Sequence, residues 1–255
     1  METREKLTVI IPVYNEEHHI KDVLQSVSFA DEILVVDSFS TDRTVTIAKA
    51  FSPRLLQRKF DSYASQKNWA IQQASHTWIL LVDADERISP ELRSEILHLL
   101  AQPKNDAIAG YWIKRINHFM GQRIHYSGWR NDKVVRLFKK HLCHYNHKRV
   151  HEEIIAKGEL AYLKNRLYHY SYSSMDQYLQ KLNRYAYLQA IDYDEKTGKL
   201  TPYHFVIKPA WGFVKHYFFQ SGFRDGVPGL MIGYIQGYVV LMRYIKLWLH
   251  RRNRQ

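Results

Sequence analysis

Three short apolar runs, Leu7–Val13, Ile33–Val36 and Trp78–Val82, constrain the fold of this chain more than any other feature. A strand with one wet face alternates polar and apolar residues, whereas an unbroken apolar run fits a strand covered on both faces of a parallel sheet. Helical spacing fills the intervals. Ile20, Val23, Leu24 and Val27 follow the first run, Ile47 and Ala48 follow the second, and a helix from Ser62 to Ala74 precedes the third. Asn15, then Ser40 or Thr41, are candidate caps for the first two helices, and Ser89 with Pro90 opens another that runs to Leu100. With a short segment at Leu55-Leu56, the order βαβαβαβ predicts a doubly wound parallel sheet with right-handed crossovers.

Beyond Pro103 the strands shorten, to 110–115, 133–138 and 167–170, so the sheet is expected to become mixed. A helix over 175–193 follows, and from about Tyr203 the chain is aromatic, glycine-rich and basic. This pattern divides the chain into a domain over 1–200 and a helical extension over 201–255.

The run Trp78–Val82 ends in Asp83-Ala84-Asp85. Ligands of open α/β sheets gather beyond the carboxyl ends of strands, so these acids stand where chemistry is expected. Alternation along an extended chain would turn both carboxylates to one side, facing a single hard divalent cation. Taken alone, the pair fits kinases, nucleotidyltransferases and nucleases as well as sugar transferases; a surface turn with two acids is the plainer alternative.

Lys and Arg number 37 against 25 Asp and Glu, a net charge of +12, and the chain has 18 Tyr, 11 Phe and 6 Trp. An anionic partner follows: nucleic acid, a nucleoside diphosphate or anionic lipid. No RNA- or DNA-binding motif accompanies the charge. The single cysteine, Cys143, excludes an internal disulfide and a thiolate metal cage and agrees with a reducing cytoplasmic setting. Residues 1–6 lack the pattern of a signal peptide, so export is not expected. Gly226–Met242 carries no charge, but Gln236 and several glycines interrupt it, which suits lying on a membrane rather than crossing it.

Four segments in order carry a resemblance: Ile10-Ile11-Pro12-Val13-Tyr14-Asn15-Glu16-Glu17, Val35-Val36-Asp37-Ser38, Gln66-Lys67-Asn68 and Leu81-Val82-Asp83-Ala84-Asp85. Together they resemble the inverting family 2 glycosyltransferases of the GT-A fold. Trp129-Arg130-Asn131-Asp132, Val135-Arg136-Leu137-Phe138, Val150-His151-Glu152 and Asp225-Gly226 are similar to the subgroup related to WaaE, a lipopolysaccharide-core glucosyltransferase. The resemblance implies an α/β, Rossmann-like, mixed and mainly parallel sheet flanked by helices. It also implies transfer of a hexose, glucose among the candidates, from a UDP-sugar to a cell-envelope glycolipid such as lipopolysaccharide core.

Residue by residue, the resemblance implies that Pro12, Tyr14 and Glu16 line the nucleoside and that Asp37 reads the base edge. Lys67 would meet the diphosphate; Arg136 reads equally as a phosphate partner or as an ion pair at a strand end. Asp85 would bind Mg2+ or Mn2+ directly, with Asp83 binding through water or holding the ribose. Glu152 is the first candidate for the general base and Asp132 the second, while His151 is a further candidate for the metal shell. Trp112 and Trp129 would either stack an acceptor sugar or pack in a core. The Glu-Asp and Gln-x-x-Arg-Trp pattern of polymerising members is missing, so a processive synthase is not expected. The aromatic and basic extension suggests peripheral attachment to the inner face of the cytoplasmic membrane. Two other classes compete with the enzyme: a membrane-associated scaffold that keeps the fold without chemistry, and a nucleic-acid-binding protein.

Overall fold

The computed structural model describes residues 4–103, 105–146, 153–172 and 175–253. In chain order the elements are β1 (Leu7–Val13), α1 (Ile20–Ser26), β2 (Glu32–Asp37), α2 (Thr44–Lys49), β3 (Arg54–Gln57), α3 (Tyr63–Gln73), β4 (Trp78–Leu81), β5 (Glu86–Ile88) and α4 (Pro90–Leu100). Then come β6 (Ile108–Phe119), β7 (Gln122–Arg123), β8 (Lys133–Lys139), β9 (Cys143–Tyr145), β10 (Ile154–Ala156), β11 (Glu159–Tyr172) and α5 (Met175–Asp194). The last are α6 (Pro202–Phe205), α7 (Ile207–Val214), a π-helical stretch (Lys215–Phe219), a 3-10 turn (Gly222–Asp225) and α8 (Gly226–Arg252). Two compact units form, one from Met1–Arg115 with Lys133–His169, the other from Ile116–Asp132 with Tyr170–Gln255.

The main sheet runs β3-β2-β1-β4-β8-β6-β11-β5. β1 is parallel to β2 and β4, and β2 is parallel to β3, as the apolar runs predict. β8 is antiparallel to β4, β6 to β8, and β5 to β11. The sheet is therefore mixed, with a longer antiparallel part than the sequence suggests. Residues on β1 alternate between two cores, as a period of two requires. Leu7, Val9, Ile11 and Val13 pack with Ile20, Val23 and Leu24 of α1 and Leu92, Ile96 and Leu100 of α4. On the opposite face Ile10 joins Leu34, Val36, Ile79 and Leu81 against Ala64, Ala70 and Ile71 of α3.

Ser62 caps α3 by accepting from the Ser65 N–H at 3.2 Å, and Ser89 caps α4 through the Leu92 N–H at 3.1 Å, with Pro90 in the first turn. The first two helices begin later than their expected caps. Asn15 is left-handed at φ 54°, and its side-chain oxygen accepts from the Thr41 N–H at 2.8 Å. It therefore ties two loops together instead of starting a helix. Ser40 turns its hydroxyl to Asp37, and Asp42 accepts from the Thr44 N–H at 2.9 Å at the start of α2.

Glu32 joins the parallel strands at their amino ends. It accepts from the Thr8 hydroxyl at 2.6 Å, the Ser75 N–H and hydroxyl at 2.8 Å each, and Arg54 at 3.1 Å. Burial raises its pKa, but these hydrogen bonds together outweigh it and bring the group from an ordinary 4.5 down to about 2. The folded value lies below the unfolded one, so the stabilisation is complete above the ordinary carboxylate range and is lost as pH falls toward 2. Glu32→Gln is expected to remove about 2–3 kcal/mol at neutral pH and to flatten the acid limb of stability. Urea unfolding at pH values on both sides of 4.5 checks this; an unchanged acid limb would contradict it.

In the second unit Phe119, Ile124, Tyr178 and Ile232 form a core, with Trp129 packed against it. α5 lies along α8: Arg243 donates to Gln189 at 2.9 Å, Arg251 to Asp194 at 2.7 Å, and the Tyr193 and Tyr244 rings meet edge to face. α5 shares its core with the tail, Tyr178 packing with Ile232 of α8. α7 and α8 approach closely at Gly212 and Gly237, where a Cβ on Gly212 would stand 3.3 Å from the Gly237 Cα. Among the described residues no helix is long and apolar enough to cross a membrane.

Candidate active site

β4 delivers the two aspartates. The Val82 N–H donates to the Ile10 carbonyl at 3.0 Å, and the chain then turns, the Asp83 carbonyl accepting from the Glu86 N–H at 2.9 Å. The two acids therefore sit on a turn and not on the extended chain from which their common orientation is argued. Asp83 pairs with Arg136 and stands 3.8 Å from the Lys67 ammonium, while Asp85 stands 3.5 Å from Nε2 of His169 on β11. Burial pushes the Asp83 carboxyl up, but Arg136 first, then Lys67 and Arg115, carry it well below the usual carboxylate range.

Behind the turn lies Glu86, which is fully buried. Its carboxylate receives Arg115 at 3.0 Å, Arg136 at 2.9 Å and the Asp83 N–H at 3.1 Å. Arg87 fixes the turn itself, donating to the carbonyls of Ala84 at 2.7 Å, Glu86 at 2.8 Å and His19 at 3.0 Å. Burial, followed by the charge of Arg87, lowers the His19 pKa. α3 turns Lys67 inward, with its ammonium 5.1 Å above the ring of Tyr145. One strand end thus gathers three cations, Lys67, Arg115 and Arg136, and three carboxylates, Asp83, Asp85 and Glu86.

Pro12 pairs with Val36 beside this strand end, and Tyr14 is 58% exposed. The Glu16 N–H donates to the Thr44 hydroxyl at 2.7 Å. Asp37 is fully buried, and its oxygens accept from the Ser40 hydroxyl at 2.5 Å, the Ser40 N–H at 3.1 Å and Gln57 at 2.9 Å. Its role in this geometry is to set the loop that follows β2. Glu152 and His151 lie outside the described residues. Asp132 belongs to the second unit, where it accepts from Asn117 at 3.1 Å. Trp129 meets Phe119 edge to face at 6.1 Å, a core contact; Trp112 stacks with Tyr162 at 6.5 Å, with Lys133 over both rings. Cys143 is buried, and burial pushes its thiol up to about 11, which fits a packed and unreactive residue.

Glu86, Arg87, Arg115 and His169 were not singled out by sequence. Glu86 and Arg87 directly follow the aspartates and carried the clearest available hint. Nothing distinguishes His169 among 14 histidines.

A divalent cation can be tested against these donors. Among the described residues no group of three or more His, Cys, Asp and Glu is arranged to hold a metal. Magnesium-type sites that handle phosphates use one or two protein ligands and take the remainder from phosphate oxygens and water. Asp85 and His169, an oxygen and a nitrogen donor 3.5 Å apart, meet that lower requirement. Asp83, already paired with Arg136 and close to Lys67, fits a direct ligand less well.

A mixed Rossmann-like sheet flanked by helices is the GT-A fold. Residues 8–154 match the family described as Glycosyl transferase family 2, and the chain belongs to that family. It is similar to an uncharacterized glycosyltransferase of Rickettsia conorii, 31% identical over 95% of this chain and 90% of that one. The lipopolysaccharide core biosynthesis glycosyltransferase LpsC of Rhizobium meliloti is 28% identical over 88% of this chain and 85% of that one. Among solved structures, glucosyl-3-phosphoglycerate synthase from Mycobacterium tuberculosis aligns over 45% of this chain and 44% of that one, at 22% identity and a TM-score of 0.37.

Proposed function

We propose that this glycosyltransferase is inverting and metal-dependent, and that it moves a hexose, glucose foremost, from a UDP-sugar to a cell-envelope glycolipid of the lipopolysaccharide-core kind. The observation that carries the reading is the strand end itself, where the Asp85–His169 pair and the cations Lys67 and Arg136 converge. The name of the Rhizobium relative supports the acceptor class.

Inversion is a single displacement. A base takes the acceptor hydroxyl proton, the oxygen bonds to the anomeric carbon, and the bond from that carbon to the diphosphate breaks with UDP as leaving group. Asp85 and His169 would hold Mg2+ or Mn2+, which when bound neutralises the departing diphosphate as a Lewis acid. Lys67 and Arg136 add fixed positive charge beside the same group, and Asp83 keeps these two side chains oriented. Exposed Tyr14 stacks on the base, with Pro12, Glu16 and the loop ordered by Asp37 around the nucleoside. Glu152 takes the proton, with Asp132 as the second candidate. Donor and acceptor of this kind meet at the inner face of the cytoplasmic membrane, where the chain is held peripherally.

Calorimetry with Mn2+ and UDP-glucose, UDP-galactose, UDP-N-acetylglucosamine or GDP-mannose tests the proposal. Metal-dependent binding of a UDP-hexose is expected, and binding of none of the four would overturn it. Glu152→Gln should keep donor binding and lose transfer; an active Glu152→Gln would pass the base role to Asp132.

A further inference from the structure

Between α7 and α8 the chain leaves α-helical geometry twice, first in the π-helical stretch and then in the 3-10 turn. Around these breaks the side chains that would ordinarily be buried face outward. Trp211, Phe218 and Phe223 are more than half exposed, Phe219 is 72% exposed and Val227 69%. These are not scattered residues. Trp211 packs on Phe219 at 5.3 Å, and Tyr217 contacts Phe218 at 5.1 Å and Phe223 at 6.4 Å. A contiguous aromatic surface held in a fixed shape marks an interaction site.

Charge identifies the partner. From Thr201 to Gln255 the chain has eight Lys or Arg and one acid, Asp225. Within the tip itself, 211–227, the basic residues are Lys215 and Arg224, and the one acid, Asp225, is engaged by hydrogen bonds. Aromatic rings with such basic residues match the interface and headgroup layers of an anionic bilayer. A second copy would bring the same positive charge to a self-complementary contact and be repelled.

Asp225 directs its charge elsewhere. It occupies the N-cap position of α8, yet its side chain makes no capping bond. Its oxygens instead accept from the His125 N–H at 2.9 Å, the Tyr126 N–H at 3.0 Å and the Ser127 hydroxyl at 2.8 Å. The Ser127 N–H donates to the Gln220 carbonyl at 3.1 Å, and Arg224 lies 4.7 Å from the centre of the Tyr126 ring. The clamped loop continues through the turn of Trp129, whose N–H bonds the Tyr126 carbonyl, to Asp132, whose N–H bonds the Trp129 carbonyl. Every one of these residues belongs to the second unit.

We propose that the aromatic tip over 211–227 docks into an anionic phospholipid surface, and that Asp225 is a positioning residue that couples this tip to the 125–132 loop. Docking then orders the segment that carries Asp132. The docking deepens the peripheral attachment proposed above, and only the place of Asp132 as second base candidate rests on the transferase reading.

The full chain, sedimented with vesicles of phosphatidylcholine alone or mixed with phosphatidylglycerol, is expected to bind the mixed vesicles. The double variant Phe218→Ser, Phe219→Ser should lose binding by about tenfold or more while keeping its thermal transition, since both rings are exposed. No binding by the parent chain, equal binding to neutral vesicles, or full binding by the double variant would overturn the docking surface. A dimer that the same substitutions dissolve would assign the patch to a second copy instead. For the coupling, amide exchange over 125–132 is expected to slow when the parent chain meets mixed vesicles. In Asp225→Ala vesicle binding should persist while that loop no longer responds; an undiminished response would overturn the coupling. If Asp225→Ala loses its thermal transition, Asp225→Asn serves for the same comparison. None of these readouts involves sugar transfer, so their failure and that of the donor screen are separate results.

Discussion

Asp85→Ala is expected to lower sugar transfer by about three orders of magnitude or more, with the fold intact. Asp85 stands at the end of β4 with its carboxylate 3.5 Å from Nε2 of His169. Its removal takes away the hard oxygen donor and leaves the leaving diphosphate to Lys67 and Arg136. His169→Ala, which keeps that oxygen, should cost less, about 10–100-fold, and part of the loss should return at high Mn2+. Initial rates against Mn2+ concentration separate the two variants, alongside thermal melts to confirm folding. If Asp85→Ala kept more than about a tenth of the activity, the cation would be held by other residues and the assigned pair would be wrong.

The largest expected effect on stability comes from Glu86→Leu, at about 3–5 kcal/mol. Glu86 is fully buried and accepts from Arg115, Arg136 and the Asp83 N–H, so a leucine leaves two largely buried guanidinium groups short of an anion. Breaking one partner of a buried pair is costly because the remaining charge stays out of water uncompensated. Chemical denaturation should give a markedly lower midpoint. Glu86→Gln, which keeps an acceptor of the same shape, should fall between leucine and the parent chain. A leucine variant as stable as the parent would mean that water reaches both arginines.

These two residues also mark where sequence reading succeeds and where it stops. The parallel half was legible because strands covered on both faces carry short apolar runs, here separated by stretches of helical spacing. The antiparallel half was blurred. β11 spans Glu159–Tyr172, but its apolar residues, among them Leu163 and Leu167, are diluted by polar ones, so just its end reads as a strand. Asn15 and Ser40 have the chemistry of helix caps, and pattern alone does not reveal that their loops bond to each other, the Asn15 N–H donating to the Ser40 hydroxyl and the Thr41 N–H to the Asn15 side chain. Asp83 and Asp85 were legible as two acids at a strand end but not as a turn, since that turn depends on Glu86 reaching two arginines on distant strands. His169 lies 84 positions beyond Asp85 and enters the site only through the pairing of β11 with β5, a long-range contact with no local signature.

The balance of charge at the end of β4 has a consequence for how a donor is chosen. Lys67, Arg115 and Arg136 against Asp83, Asp85 and Glu86 sum to zero, and the neighbouring Arg87 is offset by Asp22 at 3.6 Å. A nucleotide diphosphate on its own, carrying two negative charges, gains little from the net field of such a site. The same diphosphate accompanied by a dication is itself electroneutral, and it can enter by exchanging partners with the carboxylates already present. Under the transferase reading proposed above, such a site would favour the cation–diphosphate unit over either component alone, and nucleotide lacking its metal would be disfavoured before any chemistry begins.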